Sequence, residues 1–393
     1  MRTTVSELIR QEFPAYAARR KLRIEEHKAA QAMMACRTSV MGSFEYSCPE
    51  GHESWQGHHS CHHRSCPQCN GQAKAAWLDK TLDRLLPCDH FHVVMTLPHE
   101  LNDLWRHNRV WFSQTLFACA ADSLKQMLVD PRHLGAIPGL MLAEHTWGRS
   151  LIFHPHVHCL VTAGGVDAAD QWRAIDSDFL LPGRALDIRK LALPGDCSVR
   201  DIRRLLFLLA RKPRHVRIEK RYSHGRGVAG YLARYVKGGP IGNRRLTCTA
   251  QNKLRFRYFD HRSHQHRWLT LERQQFLARL LSHVPPAWRQ RVRYYGLYHS
   301  HRRQLRSRLG EQMHAPQIAR TRTRLFQPPR CRQCKRPYQS RHWRFHGNYL
   351  YQVSAPRRVQ QGVEVGVPSR PNTLSGDTGP PHFSFLPSGT PLN

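Results

Sequence analysis

Three groups of residues have types and spacings that could do chemistry. The first is His154-Pro155-His156-Val157-His158. On an extended strand alternate residues share a face, so the three imidazoles project to one side while Val157 packs behind them. His156 and His158, side by side on a rigid strand, can hold one divalent cation and leave positions open for a phosphate oxygen. The second group is Tyr231-Leu-Ala-Arg-Tyr235. Four residues apart on a helix, both phenols fall on one face, and a phenolate is a competent nucleophile at phosphorus. Aromatic pairs at that spacing usually pack in a core. Here Arg226, Arg234, Lys237, Arg244 and Arg245 make the stretch cationic instead, which suits phosphate. A free phenol ionises near pH ~10, so the cation and the Arg/Lys field must favour the phenolate.

The third group is rich in cysteine. Cys66-Pro67-Gln68-Cys69 is a tight knuckle, preceded by Cys61 and by Cys48-x3-His52, with His58, His59, His62 and His63 close by. Turns of this length place two sulfurs on one ion, and an upstream pair completes a tetrahedral Zn2+ site. The expected ligands are Cys48, Cys61, Cys66 and Cys69, with His52 as the substitute. A later pair, Cys331 and Cys334, has no evident second pair beside it.

The elements that must position these groups follow from periodicity. Residues 1–35 and 71–86 read as helices, 90–98 as a strand stopped by Pro98, and 101–128 as a long helix. Two apolar runs, 139–147 and 150–165, read as paired strands, the second carrying the histidines. Residues 165–198 look like an insertion or long loop. A basic amphipathic helix (199–211), a strand (214–222) and a short helix (226–237) closed by Gly238-Gly239-Pro240 come next. KLRFRYFDHRS (253–263) is a strand and LTLERQQFLARLLSHV (269–284) a helix. From about 354 the chain is Pro/Ser/Gly-rich, and disorder is expected. The fold class is α+β.

Charge narrows the function further. The 393 residues include 61 Lys+Arg and 28 Asp+Glu, for a net charge of +33, with 50 Arg to 11 Lys. Residues 201–345 hold 36 of the basic residues and five acids. Such a balance is foreign to a metabolic enzyme and points to nucleic acid. Trp268, Trp288, Tyr294, Tyr295 and Tyr298 in the same half suit base stacking. No apolar run approaches the ~20 residues of a membrane span. The N-terminus lacks a secretory signal, so a cytoplasmic, nucleoid-associated location is expected and the 12 Cys should be reduced.

In this order, the groups resemble the rolling-circle, two-tyrosine transposases of the insertion sequence ninety-one family. The resemblance spans about residues 30–340. It rests on the zinc cluster running into Cys66-Pro-Gln-Cys69, on FHVVMTLPHEL (91–101), HTWGRSLIFHPHVHCLVTAGG (145–165), GYLARYVKGGPI (230–241) and RVRYYGLY (291–298), and on the late Cys-x-x-Cys. It implies an HUH endonuclease-type central antiparallel sheet flanked by helices, with the two histidines on a middle strand and the tyrosine helix alongside. The expected organisation is an N-terminal helix and zinc-binding domain (1–86), a catalytic domain (87–265), a basic helical and aromatic region (266–353) and a tail (354–393). It further implies structural Zn2+, catalytic Mg2+ or Mn2+, and cleavage of single-stranded DNA at the element ends by Tyr231 or Tyr235. The 5′-phosphate would stay on the tyrosine, host replication machinery would extend the freed 3′-OH, and a second transfer would join a target. Family relatives draw a third metal ligand from elsewhere, for which His154, Glu219 and His224 are open choices. Glu50-Gly51-His52 departs from the family's Cys-x-x-Cys at that point. Two alternatives stand beside this reading: a rolling-circle replication initiator using the same chemistry, and a non-catalytic zinc-dependent DNA-binding protein.

Overall fold

The computed structural model describes residues 3–175, 198, 200, 204, 207, 216–222, 225–236, 239–260, 263–313, 329–346 and 349–353. The first half contains α1 (Val5–Ala18), α2 (Ile24–Ala35), β1 (Ser43–Ser47), β2 (Ser54–His58), α3 (Gly71–Leu82), β3 (His90–Thr96), α4 (Asn102–His107), α5 (Arg109–Val129), β4 (Ile137–Trp147), β5 (Phe153–Val166) and β6 (Trp172–Ala174). Then follow β7 (Val216–Tyr222), α6 (Arg226–Val236), β8 (Leu246–Cys248), β9 (Leu254–Asp260), β10 (Gln265–Leu271), α7 (Arg273–Ser282), β11 (Val292–Gly296), α8 (Arg303–Gln312), β12 (Gln339–His346) and β13 (Tyr349–Val353). These belong to one compact unit, Met1–Val353. The expected helix at 199–211, most of the 165–198 insertion, and the 354–393 tail lie outside the described residues.

The architecture is α+β, with antiparallel sheets flanked by helices. The largest sheet has six strands, ordered β11-β4-β5-β3-β7, with β6 paired to β5. Neighbouring strands in it are antiparallel. Strand alternation divides the labour of β5. Val157, Cys159 and Val161 face α5, whose Phe112, Leu116, Phe117, Ala120, Leu124 and Leu128 recur at helical spacing and form the main core with them. His156, His158 and Leu160 therefore point to the other face, where Val228, Leu232 and Val236 of α6 are buried with Leu160, Met141 and Ala143. Each such fully buried side chain contributes roughly 1.5–3 kcal/mol.

A four-stranded sheet, β13-β12-β1-β2, joins residues 43–58 to residues 339–353, and a three-stranded sheet, β10-β9-β8, carries α7. The N-terminal helices share a core with the second half: Leu8, Ile9, Phe13 and Met33 pack with Phe256, Phe276 and Leu280. Three expectations change here. Residues 1–35 form two helices, the first started by a Thr4–Glu7 capping box and ended at Arg19. The long helix 101–128 breaks at Asn108, whose side-chain amide donates to the Leu104 carbonyl. Residues 269–271, read as the start of a helix, close a hairpin on β9 instead, Leu271 pairing with Leu254; the helix begins only after Glu272. Two residues apart, Leu269 and Leu271 share a strand face, whereas on a helix they would point to opposite sides, and the pairing with β9 uses that face.

Candidate active site and metal centres

β5 is an interior strand of the large sheet, so its imidazoles sit on backbone held from both sides. His156 and His158 are buried (8% and 5% exposed), with their Nε2 atoms 3.1 Å apart. Two nitrogens each ~2.1 Å from one ion would stand about this far apart. His156 Nδ1 lies 2.6 Å from the His154 carbonyl oxygen. Donation there leaves the Nε2 lone pair free for a cation, the usual outer-shell arrangement of a metal-binding histidine. Burial, with the neighbouring imidazoles, pushes His158 well below its ordinary pKa; burial first, and then charged neighbours including Arg291, brings His156 down to about 4. Both rings are therefore neutral near pH 7, as ligation requires.

A third imidazole completes the set. His145 on β4 pairs directly across from His156, and opposed residues of an antiparallel pair share a face. The candidate ligand nitrogens of His145, His156 and His158 all lie within 4.8 Å of one another. Burial pushes His145, too, well below its ordinary pKa. None of His154, Glu219 and His224, weighed from sequence as the third ligand, is in this group; Glu219 contributes no described side chain, and His224 lies outside the described residues. The signal for His145 was the first apolar run, GLMLAEHTW (139–147), but its register against β5 is a tertiary fact. His92 on β3 adds an outer contact, its Nε2 2.9 Å from His158 Nδ1.

The tyrosine helix is α6. Val228, Ala229, Leu232 and Ala233 are buried against the sheet, and α3 packs beside it. Tyr231 is half-buried, its ring centroid 5.5 Å from that of His158 and 6.3 Å from that of His92. Tyr235 and Arg234 lie on the same helix, though their side chains are outside the description, as is all of Lys237. Arg226, Arg244 and Arg245 are exposed; Arg245 donates to the Arg257 carbonyl (2.9 Å).

The cysteines regroup. Cys61, Cys66 and Cys69 come together as expected, but with Cys36 rather than Cys48. The Cys61–Cys69 and Cys36–Cys66 sulfurs are both 3.7 Å apart. Sulfurs ~2.3 Å from a tetrahedral ion stand about 3.8 Å apart, so the donor set fits Zn2+. The reason is the β1–β2 hairpin. Ser43 pairs with His58, so the chain entering Cys61 returns beside the segment that leaves Cys36. Cys48 sits at the opposite, turn end, ~15 Å away along the strands. There it meets His52, Cys331 and Cys334.

With this geometry in view, the comparisons with known proteins converge. A family model described as "Putative transposase" matches residues 139–194 and 195–306, and one described as "Transposase zinc-binding domain" matches residues 8–97. The "Putative transposase y4qJ" of Sinorhizobium fredii (strain NBRC 101917 / NGR234) is 30% identical over 96% of this chain and 97% of its own length. The "Transposase for insertion sequence element IS801" of Pseudomonas savastanoi pv. phaseolicola is 34% identical over 70% of each chain. No solved structure matches significantly. The class is thus a transposase with an N-terminal zinc-binding domain. More particularly, the chain belongs to the insertion sequence ninety-one family of transposases.

Proposed function

We propose that this transposase nicks and transfers single-stranded DNA through a 5′-phosphotyrosine, in rolling-circle transposition. The observation that carries the reading is the half-buried Tyr231, 5.5 Å ring to ring from His158, which belongs to a buried cluster of three histidines. His145, His156 and His158 would hold Mg2+ or Mn2+, which supplies Lewis-acid charge to a scissile phosphate oxygen. The Tyr231 hydroxyl loses its proton and attacks phosphorus; the P–O3′ bond breaks, and the leaving strand takes up a proton as a free 3′-OH. The 5′-phosphate stays on the enzyme, so the bond energy is conserved for joining. Tyr235, one helical turn on, would accept a second strand. Arg226, Arg244 and Arg245 grip the DNA backbone electrostatically. Cys36, Cys61, Cys66 and Cys69 hold the structural zinc. The freed 3′-OH would be extended by host replication machinery, consistent with a nucleoid-associated protein of the cytoplasm. Among the described residues, no helix is long and apolar enough to cross a membrane.

The test is a denaturing gel of end-labelled single-stranded DNA carrying element ends, incubated with protein and Mg2+ or Mn2+. A covalent protein–DNA band that requires metal is expected, absent from Tyr231→Phe/Tyr235→Phe and from His156→Ala/His158→Ala. Cleavage that persists in the double tyrosine variant would refute the mechanism.

A further inference from the structure

The late Cys-x-x-Cys is left unused by the strand-transfer chemistry, and it lies beyond both family matches, which end at residues 306 and 97. We propose that Cys48, His52, Cys331 and Cys334 form a second zinc site that clamps the chain's C-terminal strands to its N-terminal sheet. Cys48 Sγ lies 3.5 Å from both His52 Nδ1 and Cys334 Sγ, and Cys331 Sγ lies 3.9 Å from His52 Nδ1. A tetrahedral Zn2+ with three sulfurs and one imidazole has edges of ~3.4–3.8 Å, and the four donor atoms, all within 4.8 Å of one another, are close enough to close on one ion.

Both loops have the backbone of zinc knuckles. In the first, the Glu50 amide donates to Cys48 Sγ (3.4 Å), the Gly51 amide to the Cys48 carbonyl (3.0 Å), and Gly51 has φ +73°. Glycine takes that left-handed conformation without strain, and the turn delivers His52 where a second thiol would otherwise stand. In the second, the Lys335 amide donates to the Cys331 carbonyl (3.0 Å) and Lys335 has φ +60°. The loops are also docked to each other directly. Glu53 accepts from the Arg332 amide (2.6 Å) and the Tyr338 hydroxyl (2.5 Å), and Arg336 pairs with Glu50. Behind them β12 pairs with β1 from Gln339↔Ser47 to Trp343↔Ser43. His342 stacks on His59, two residues before Cys61, so the two metal sites flank one small sheet.

The consequence is a ring closed by metal, 279 residues from His52 to Cys331. It ties the segment after the catalytic region back to the zinc-binding domain. Zinc content of the 393-residue chain tests this, with circular dichroism on each variant. About two zinc ions per chain are expected for wild type and about one for Cys331→Ser/Cys334→Ser, with cleavage by trypsin in the 330–336 loop rising at least ~10-fold. His52→Cys should keep about two, because a thiolate can take the imidazole's place. If the double variant fails to fold, His52→Ala serves: one of the two zincs should leave to a chelator faster than in wild type. One zinc per chain in wild type, two retained in the double variant, or unchanged release from His52→Ala would overturn the proposal. None of these readouts depends on strand transfer.

Discussion

At the scale of single residues, the account turns on which imidazoles face the tyrosine. The alternation of His154, His156 and His158 could be read from sequence because a strand has only two faces. His145 could not, since its place across from His156 depends on how two strands register. Its role makes a specific prediction. His145→Ala should weaken Mn2+ binding by more than ~10-fold, and His92→Leu, which removes a contact to His158 Nδ1, by roughly 10–100-fold. Titration calorimetry with the folded variants measures both. An His145→Ala affinity equal to wild type would remove His145 from the site. The cysteines teach the same lesson. The knuckle Cys66–Cys69 is local and legible; the fourth donor is not. Spacing made Cys48 the nearest upstream thiol, but an antiparallel hairpin brings Cys36 next to Cys61 and carries Cys48 to its far end.

Among the elements, α6 matters most, because it carries the proposed nucleophile. Its apolar face, Val228, Leu232 and Val236, fixes which side turns to the sheet. What holds its C-terminal exit was not legible. Gly239 has φ +72°, and a Cβ there would stand 2.8 Å from the Ser65 carbonyl oxygen, beside Cys66. The turn after the tyrosine helix thus leans on backbone of the zinc-binding domain. Gly239→Ala should cost about 1–3 kcal/mol, read as a lowered midpoint in denaturant unfolding. A midpoint equal to wild type would show that this approach is not tight. Misreading residues 269–271 as helix has a related cause. The apolar run joins the strand pair Leu269 and Leu271, two apart, to the helical stripe Phe276, Leu277, Leu280 and Leu281 with no break between, and the hairpin with β9 separates them.

Across the whole molecule, the charge of +33 governs how DNA is held. Composition alone pointed to this, and the exposed Arg226, Arg244 and Arg245 are proposed to take part in it. Binding to single-stranded DNA should fall steeply with salt, log affinity being linear in log salt with a slope of about −0.7 per phosphate neutralised. Arg244→Ala/Arg245→Ala should make that slope shallower by about one unit; an unchanged slope would place these residues off the DNA path. The chain's closure was beyond the reach of sequence. Nothing local to residues 331–346 announces a strand that returns to β1, or a cysteine pair that meets one nearly 300 residues earlier.

The central claim is that Tyr231, or its neighbour Tyr235, becomes the covalent carrier of a DNA strand. The most direct measurement is mass spectrometry of the trypsin-digested protein–DNA adduct. Arg226, Arg234 and Lys237 bracket the two tyrosines, so peptides 227–234 and 235–237 separate them. The account predicts a nucleotide phosphate on Tyr231 in peptide 227–234, or on Tyr235 when that residue acts, formed only with Mg2+ or Mn2+. A covalent adduct on any other residue, or efficient strand cleavage with no adduct at all, would contradict it.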